Sequence, residues 1–200
     1  MAVERGHDWG GRSVVPDDAP TVATDAALAD LVAAGHGPGD PPVVLLGGDL
    51  CRTLGGRGDA RPGSEATVVE VDVAQVLLDG RLLRFVAHLV AGSWHRPGRW
   101  WVAANAAHRG RWNVAPRAHP GDGLLDVVDA DLGIGEVPVA WRRLAAGMHV
   151  PHPRIAVERS RTATRSFPTA VPVRLDGRSP VPAREVMVRL QPGAVVRVAV

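Results

Sequence analysis

The chain has 200 residues, room for one domain or two small ones, and its 46% apolar content is ample for a packed core and excludes a disordered tail. All 23 of its Lys and Arg positions are arginine, set against 21 acidic residues, so the formal net charge is only +2; the high isoelectric point reflects arginine's high pKa, and no nucleic-acid partner is expected. Without lysine there is no Schiff-base or P-loop chemistry, and a single cysteine, Cys51, excludes an internal disulfide and a cysteine-based zinc site.

Residues 1–20 show no sustained period and carry turn formers, which predicts an irregular or short extended lead-in. Their polar character does not suit a signal peptide, and no apolar run is long enough for a membrane span, so the expected location is the cytoplasm. Asp25 is positioned to cap a helix over Ala26–Ala34, with Leu28, Leu31 and Val32 on its apolar side and Gly35 as its stop. "PPVVLLGGDLCRTLGG" reads as a buried strand, Val43–Leu46, then a glycine turn and a short helix from Asp49, an α/β unit of the kind that places ligands at strand C-termini. Past Gly58 the style changes. "RGDARPGSE" reads as a linker, and from Ala66 the chain is mostly β: "TVVEVDVAQVLL", "RLLRFVAHLVAG", "RWWVAANAAHRGRWNVAP" and "LLDVVDADL" are separated by turn residues. One helix interrupts over Val137–Met148, with Pro138 in its first turn. Strands resume with "RIAVERS", "VPVRLDG", "REVMVRL" and "VVRVAV", and the alternation in "REVMVRL" puts one face on the core and one on water. The predicted class is α+β: a short α/β piece over residues 1–58, then a mostly antiparallel, sandwich-like β domain with one main helix over residues 59–200.

The most acidic stretch, "HPGDGLLDVVDADLG" at residues 119–133, packs aspartates and glycines around an apolar run. It suits a cation site, a catalytic acid or a hairpin-type turn at Asp122–Gly123, the last being compatible with the first.

Taken together, "NAAHRGRWNVAPRAHPGDGLLDVVDADLG", a helix, "GMHVPHPRIAVERS" and "VPVRLDGRSPVPAREVMVRLQPGAVVRVAV" resemble the C-terminal domain of the bacterial diacylglycerol kinase and sphingosine kinase-like lipid kinases. The likeness covers about residues 100–200 and rests on the order and spacing of several motifs. Upstream it is weaker. "LLGGDLCRTLGG" is similar to the family's P-x-G-T-x-N-D-x-A-R segment, with Asp49 and Arg52 in register. "VATDAALADLV" falls where the family has G-G-D-G-T-x-x-E-V, with Asp25 and Asp30 on the acidic positions. The nucleotide-binding part looks shortened at its N-terminus.

The resemblance implies a nucleotide-binding remnant formed by Asp25, Asp30, Gly47, Gly48, Asp49 and Arg52. It also implies a structural magnesium site at the Asp122 side chain with the carbonyls of His119 and Leu124, a ligand set suited to a hard, partly hydrated cation. The family's D-G-E segment, which carries the general base, corresponds to Asp176, Gly177 and Arg178. Here the chain departs from the pattern. Ala23 and Thr24 stand for the first glycine pair, Ala26 for the next glycine and Ala27 for the threonine; Leu46 and Gly48 replace a threonine and an asparagine. A Cβ where φ must be positive costs roughly 1–2 kcal/mol and blocks approach to a phosphate. Arg178 stands in place of the glutamate base, and a guanidinium cannot accept a proton. Phosphoryl transfer requires both positioning and a base, so the expectation is a lipid-kinase-like scaffold without the kinase reaction, binding neither ATP nor nucleic acid but an anionic lipid, a membrane surface or a partner. The alternative is an active ATP-dependent kinase of diacylglycerol or a related lipid hydroxyl.

Other features leave two readings open. Trp94, Trp100, Trp101 and Trp112, with Arg96, Arg99, Arg109 and Arg111, suit either a lipid-headgroup surface at the inner face of a membrane or core indoles covered by arginine stems. Arg154, Arg159, Arg161 and Arg165 suit either a phosphate-facing patch or a solvated strand face. His149 and His152 lack a third ligand for zinc and read as fixing a turn.

Overall fold

A computed structural model describes residues 10–92 and 99–200. In chain order its elements are β1 (Gly11–Val14), β2 (Thr21–Val22), α1 (Asp25–Ala33), β3 (Val43–Leu45), α2 (Gly48–Thr53), β4 (Glu65–Leu78), β5 (Arg81–Phe85), β6 (His88–Ala91), β7 (Arg99–Ala104), β8 (His108–Arg109), β9 (Trp112–Asn113), β10 (Leu125–Asp131), α3 (Val137–Leu144), β11 (Ile155–Ser160), β12 (Thr162–Leu175) and β13 (Val181–Ala199). The class is α+β, mostly sheet, with α3 the one helix inside the β part among the described residues. The strands run β1-β4-β13-β12-β6-β7-β10-β11 through one continuous sheet, and its pairings along that path are antiparallel. The N-terminal unit joins the same sheet, because β3 pairs in parallel with the end of β13 and β2 with β3.

The long pair β4 and β13 is the spine. "REVMVRL" and "VVRVAV", expected as two strands, are one: the register shifts between Leu190 and Val195, and the chain continues through a bulge in which Gly193 has φ +75°. Val186, Val188 and Leu190 are buried while Met187 and Arg189 are exposed, as the alternation requires. β12 begins far earlier than "VPVRLDG" suggested; Phe167 and Pro168 sit at an irregularity between Ser166 and Val171 and obscure its period. Asp79 and Gly80, both at positive φ, close the two-residue hairpin between β4 and β5.

Apolar side chains gather in three main clusters: Leu28, Leu50, Val71 and Val198 beneath α1 and α2; Phe85, Leu89, Trp101 and Val188 in the middle; and Trp100, Val128, Ala140, Leu144 and Ile155 beneath α3. Trp100 and Trp101 are both buried and enter different clusters, because successive strand residues face opposite sides of the sheet. These two indoles therefore belong to the core and not to a headgroup surface. Trp94 and Arg96 lie outside the described residues. The helix expected over Val137–Met148 ends at Leu144, and Gly147, with φ +67°, turns the chain back toward Asn113 and Pro116.

Candidate functional site

At the corner where α1 and α2 meet the sheet, the expected nucleotide-side residues come together, with one reassignment. The N-cap of α1 is Thr24, whose hydroxyl accepts from the amide of Ala27. Asp25 is instead the first residue of that helix, and its buried carboxylate caps α2, accepting from the amides of Asp49 at 2.7 Å and Leu50 at 3.1 Å. Burial raises the Asp25 pKa to about 6; the two amides pull it down and the Asp49 carboxylate adds a smaller upward push. Gly48 is fixed by this arrangement: its φ is +96°, and a Cβ there would lie 2.5 Å from Asp25 Oδ1. Ala23, Thr24 and Ala26 carry no such strain. Among the described residues only Asp79 and Asp176 are non-glycines at positive φ, so none of these three positions needs glycine in this chain.

The β12–β13 turn closes over the same corner. Asp176, at φ +49°, accepts with its carboxylate from the amides of Val86, Ala87 and His88 at 2.8–3.0 Å, and its own amide donates to the His88 carbonyl at 2.9 Å. Burial, helped slightly by the charge of Asp25, raises its pKa to about 6 against the pull of those three donors. Two residues on, Arg178 Nη2 donates to the Ala26 carbonyl at 2.6 Å and to Asp30 Oδ1 at 2.8 Å. A cavity of about 280 Å³ behind this contact is lined by Ala29, Asp30, Leu83, Leu175 and Arg178.

Several groups in this corner gave no sequence signal. His88 is buried, with Nε2 2.8 Å from the Ala106 carbonyl and Nδ1 3.7 Å from Asp49 Oδ2. A carbonyl can only accept, so the Nε2 tautomer carries the proton. Burial lowers the His88 pKa to about 4, more than Asp49 raises it; at neutral pH the Asp49 contact is thus not an ion pair. Asp49 Oδ1 also accepts from the amide of Gly110, and Thr53 Oγ1 from that of His108, which ties α2 to the β8 turn. Arg52 is exposed and close enough to His108 to lower its pKa, after burial. The only hint of His88 was one polar residue in the apolar run "FVAHLVA".

The acidic loop lies elsewhere and is not a hairpin, since β9 and β10 do not pair. It is pinned to β4 by Asp72, whose carboxylate accepts from the amide of Gly123 at 2.8 Å and whose amide donates to the Pro120 carbonyl at 2.6 Å. Asn105 Nδ2 bridges the Asp72 and Val86 carbonyls, each at 2.8 Å. Of the donor set expected for magnesium, the Asp122 carboxylate and the His119 carbonyl are engaged by protein. Asp122 Oδ1 accepts from the Leu124 amide at 3.0 Å, Asp122 Oδ2 from Arg159 Nη2, and the His119 carbonyl from the Asp122 amide at 3.4 Å. Arg159 also reaches Asp126 with Nε at 3.4 Å. Among the described residues no group of three or more His, Cys, Asp or Glu could hold a metal ion. As placed, these residues do not fit the ion: a guanidinium stands against the carboxylate that would bind it.

Three of the other arginines marked in this part are paired as well. Arg165 forms two contacts with Asp129 at 2.6 and 3.3 Å, Arg154 pairs with Glu136 at 3.3 Å and Arg99 with Asp131 at 3.5 Å. His149 is buried with Nε2 3.2 Å from the Val114 carbonyl, and His152 Nδ1 accepts from the Arg154 amide at 3.2 Å, so both histidines hold turns. Between these turns and the sheet lies an apolar cavity of about 510 Å³, lined by Val114, Val128, Val150, Ile155 and Val157, with Asp126 and Arg117 as its polar edge.

An N-terminal corner built over a long antiparallel sheet, with an acidic loop and a D-G turn at its strand ends, is the arrangement to set beside known proteins. Residues 69–200 match the sequence model of the YegS C-terminal NAD kinase beta sandwich-like domain, and the chain belongs to that family. A protein of Bacillus anthracis str. Sterne solved as "a putative diacylglycerol kinase" superposes with a TM-score of 0.62 at 13% identity, over 88% of this chain and 75% of that one. A diacylglycerol kinase of the same organism superposes with a TM-score of 0.53 at 14% identity, over 78% of this chain and 66% of that one. At these identities the likeness is one of fold. No curated protein matches the chain.

Proposed function

We propose that the chain is a non-catalytic member of the lipid-kinase-like group that binds a lipid at the inner face of a membrane. The observation that carries this reading is Arg178. It stands where the family places its base, and its guanidinium is tied to the Ala26 carbonyl and Asp30. A group that stays protonated cannot take the proton of an acceptor hydroxyl, and here it also bridges the turn to the helix beside which a nucleotide would have to enter. Two buried carboxylates of the corner, Asp25 and Asp176, are absorbed as caps of backbone amides. The apolar cavity edged by Asp126 and Arg117 supports a ligand with an alkyl body and a polar head.

The test is incubation of the purified chain with radiolabelled ATP and magnesium, using diacylglycerol and sphingosine-type acceptors. Phosphorylated lipid at the level of a heat-killed control is the expected result. Product above that level overturns the non-catalytic reading in favour of an active lipid kinase.

A further inference from the structure

We propose that α3 and its two flanking turns form a membrane-docking face for anionic lipid bilayers. This rests on the lipid-binding half of the preceding reading and adds the surface through which the bilayer is met. Large apolar side chains are exposed on either side of the helix and on it: Ile134 at 76%, Met148 at 67% and Val139 at 39%. The helix itself turns Ala140 and Leu144 inward and Pro138, Val139, Arg142 and Arg143 outward. Outward apolar and cationic residues on one short helix suit an element lying in the headgroup plane.

Aromatic residues complete the face. Trp141 of α3 packs on Trp112 with ring centroids 6.4 Å apart, and the Arg111 guanidinium lies 5.3 Å over the Trp112 ring. Both indoles are half-buried, and half-buried indoles favour the zone between hydrocarbon and water.

Charge selects the occupant. Arg154, Arg159 and Arg165 of the neighbouring strands are each matched by a carboxylate. Arg111, Arg142 and Arg143 are exposed and form no ion pair among the described residues, while the nearest carboxylate at the start of α3, Glu136, is taken up by Arg154. Three unmatched guanidinium groups around exposed Ile134, Val139 and Met148 fit a surface that is anionic at its plane and apolar beneath it. Gly147 and Val150, on either side of Met148 in the chain, line part of the apolar cavity, so this face lies next to it.

The experiment is vesicle co-sedimentation of the full chain with phosphatidylglycerol or phosphatidylcholine vesicles, at low and high salt. The wild type should pellet with phosphatidylglycerol only and be released by salt. Arg142→Glu/Arg143→Glu should weaken binding at least tenfold. Ile134→Asp/Met148→Asp should weaken it several-fold. Arg12→Glu/Arg57→Glu, with the same change of net charge but with Arg12 on β1 at the opposite sheet edge, should bind within twofold of wild type. Circular dichroism of each variant controls for folding. Equal binding to both vesicle types, equal loss in the two arginine pairs, or full binding by Arg142→Glu/Arg143→Glu overturns the proposal; no vesicle binding at all overturns it in favour of an acidic protein partner. Lipid phosphorylation in the kinase assay would overturn the non-catalytic reading and leave this result standing.

Discussion

The corner around α1 and α2 and the end around α3 use polar residues in opposite ways. In the corner, buried acids face inward. Asp25 and Asp176 between them satisfy five backbone amides, and each carries a pKa raised to about 6 by its burial. At α3, arginines face outward without carboxylates and the exposed side chains between them are apolar. Ligand chemistry in a lipid kinase needs groups that are available at the nucleotide and groups that reach the lipid. On the reading proposed above, the first set serves as scaffold in this chain and the second is the set that touches a partner.

That contrast breaks most visibly at Asp176. Asp176→Ala removes the acceptor of three buried amides, and leaving such donors unpaired costs about 1 kcal/mol or more each. A loss of roughly 3 kcal/mol in urea unfolding is expected, while vesicle binding of the folded protein stays at the wild-type level. A variant as stable as the wild type would show that the turn is not an internal tie.

The same residue gives a pH test. Its folded pKa, about 6, is above the ordinary 3.8 of an aspartate, so between these values the folded state holds more protons than the unfolded one. The contribution of this group is complete below the unfolded value and is lost as pH rises through about 6, by roughly 3 kcal/mol in all. His88, lowered to about 4, has the opposite slope, but it is present in both proteins and cancels in a difference. The stability of wild type minus that of Asp176→Asn should therefore shrink as pH goes from 4 to 6.5. A gap that is constant or that widens contradicts the assignment.

Arg159 sharpens the comparison at the acidic loop. Its guanidinium spans Asp122 and the buried Asp126, the arrangement in which a cation would otherwise have to balance the two charges. Arg159→Ala should cost about 2 kcal/mol, since it leaves the buried Asp126 with only the more distant, exposed Arg117 at 3.9 Å. The melting temperature of the wild type should be the same in magnesium and in EDTA. That of the variant should rise with magnesium or calcium as the freed carboxylates take up an ion. A wild-type melting temperature that falls in EDTA would show that an ion displaces the guanidinium in solution.

Much of this was legible in the chain. Alternation in "REVMVRL" and Pro138 at the start of α3 each act within a few residues, so composition and spacing report them; the hairpin read at Asp122–Gly123 was wrong because the strands on either side of the loop pair elsewhere. The resemblance of residues 100–200 set Asp176 and Arg178 in one segment, and the weaker upstream resemblance set Asp25 and Asp49 in two neighbouring ones. What escaped depends on contacts distant in sequence. Asp25 looked like the cap of its own helix because Asp is a good N-cap; it caps a helix 24 residues later because Thr24 had already filled the near position. Asp72 sits in a strand that reads as ordinary alternation, and its role appears only when Gly123 and Asn105 are brought against it. The two tryptophans of β7 were ambiguous because a buried indole and an interfacial one look alike in sequence; pairing β7 between β6 and β10 decides for the core.

The smallest effect belongs to Arg178. Its contact with Asp30 is exposed, 38% and 67% for the two side chains, and exposed ion pairs contribute about 0–1 kcal/mol. Arg178→Glu should therefore change stability by no more than about 1 kcal/mol, the cost arising from repulsion by Asp30 and the lost bond to the Ala26 carbonyl. It restores the residue type of the family's base, yet it should not restore phosphoryl transfer. A base contributes about 10²–10⁴ in rate only when nucleotide and acceptor are already positioned. Here the amides of α2 that could meet a phosphate are held by Asp25, and α1 begins where the family's glycines would let the backbone approach. The measurement is the radiolabel assay on Arg178→Glu beside the wild type. Silence in both, with a melting temperature within a few degrees of wild type, places the lesion in the whole corner; activity gained by the single substitution would place it in Arg178 alone.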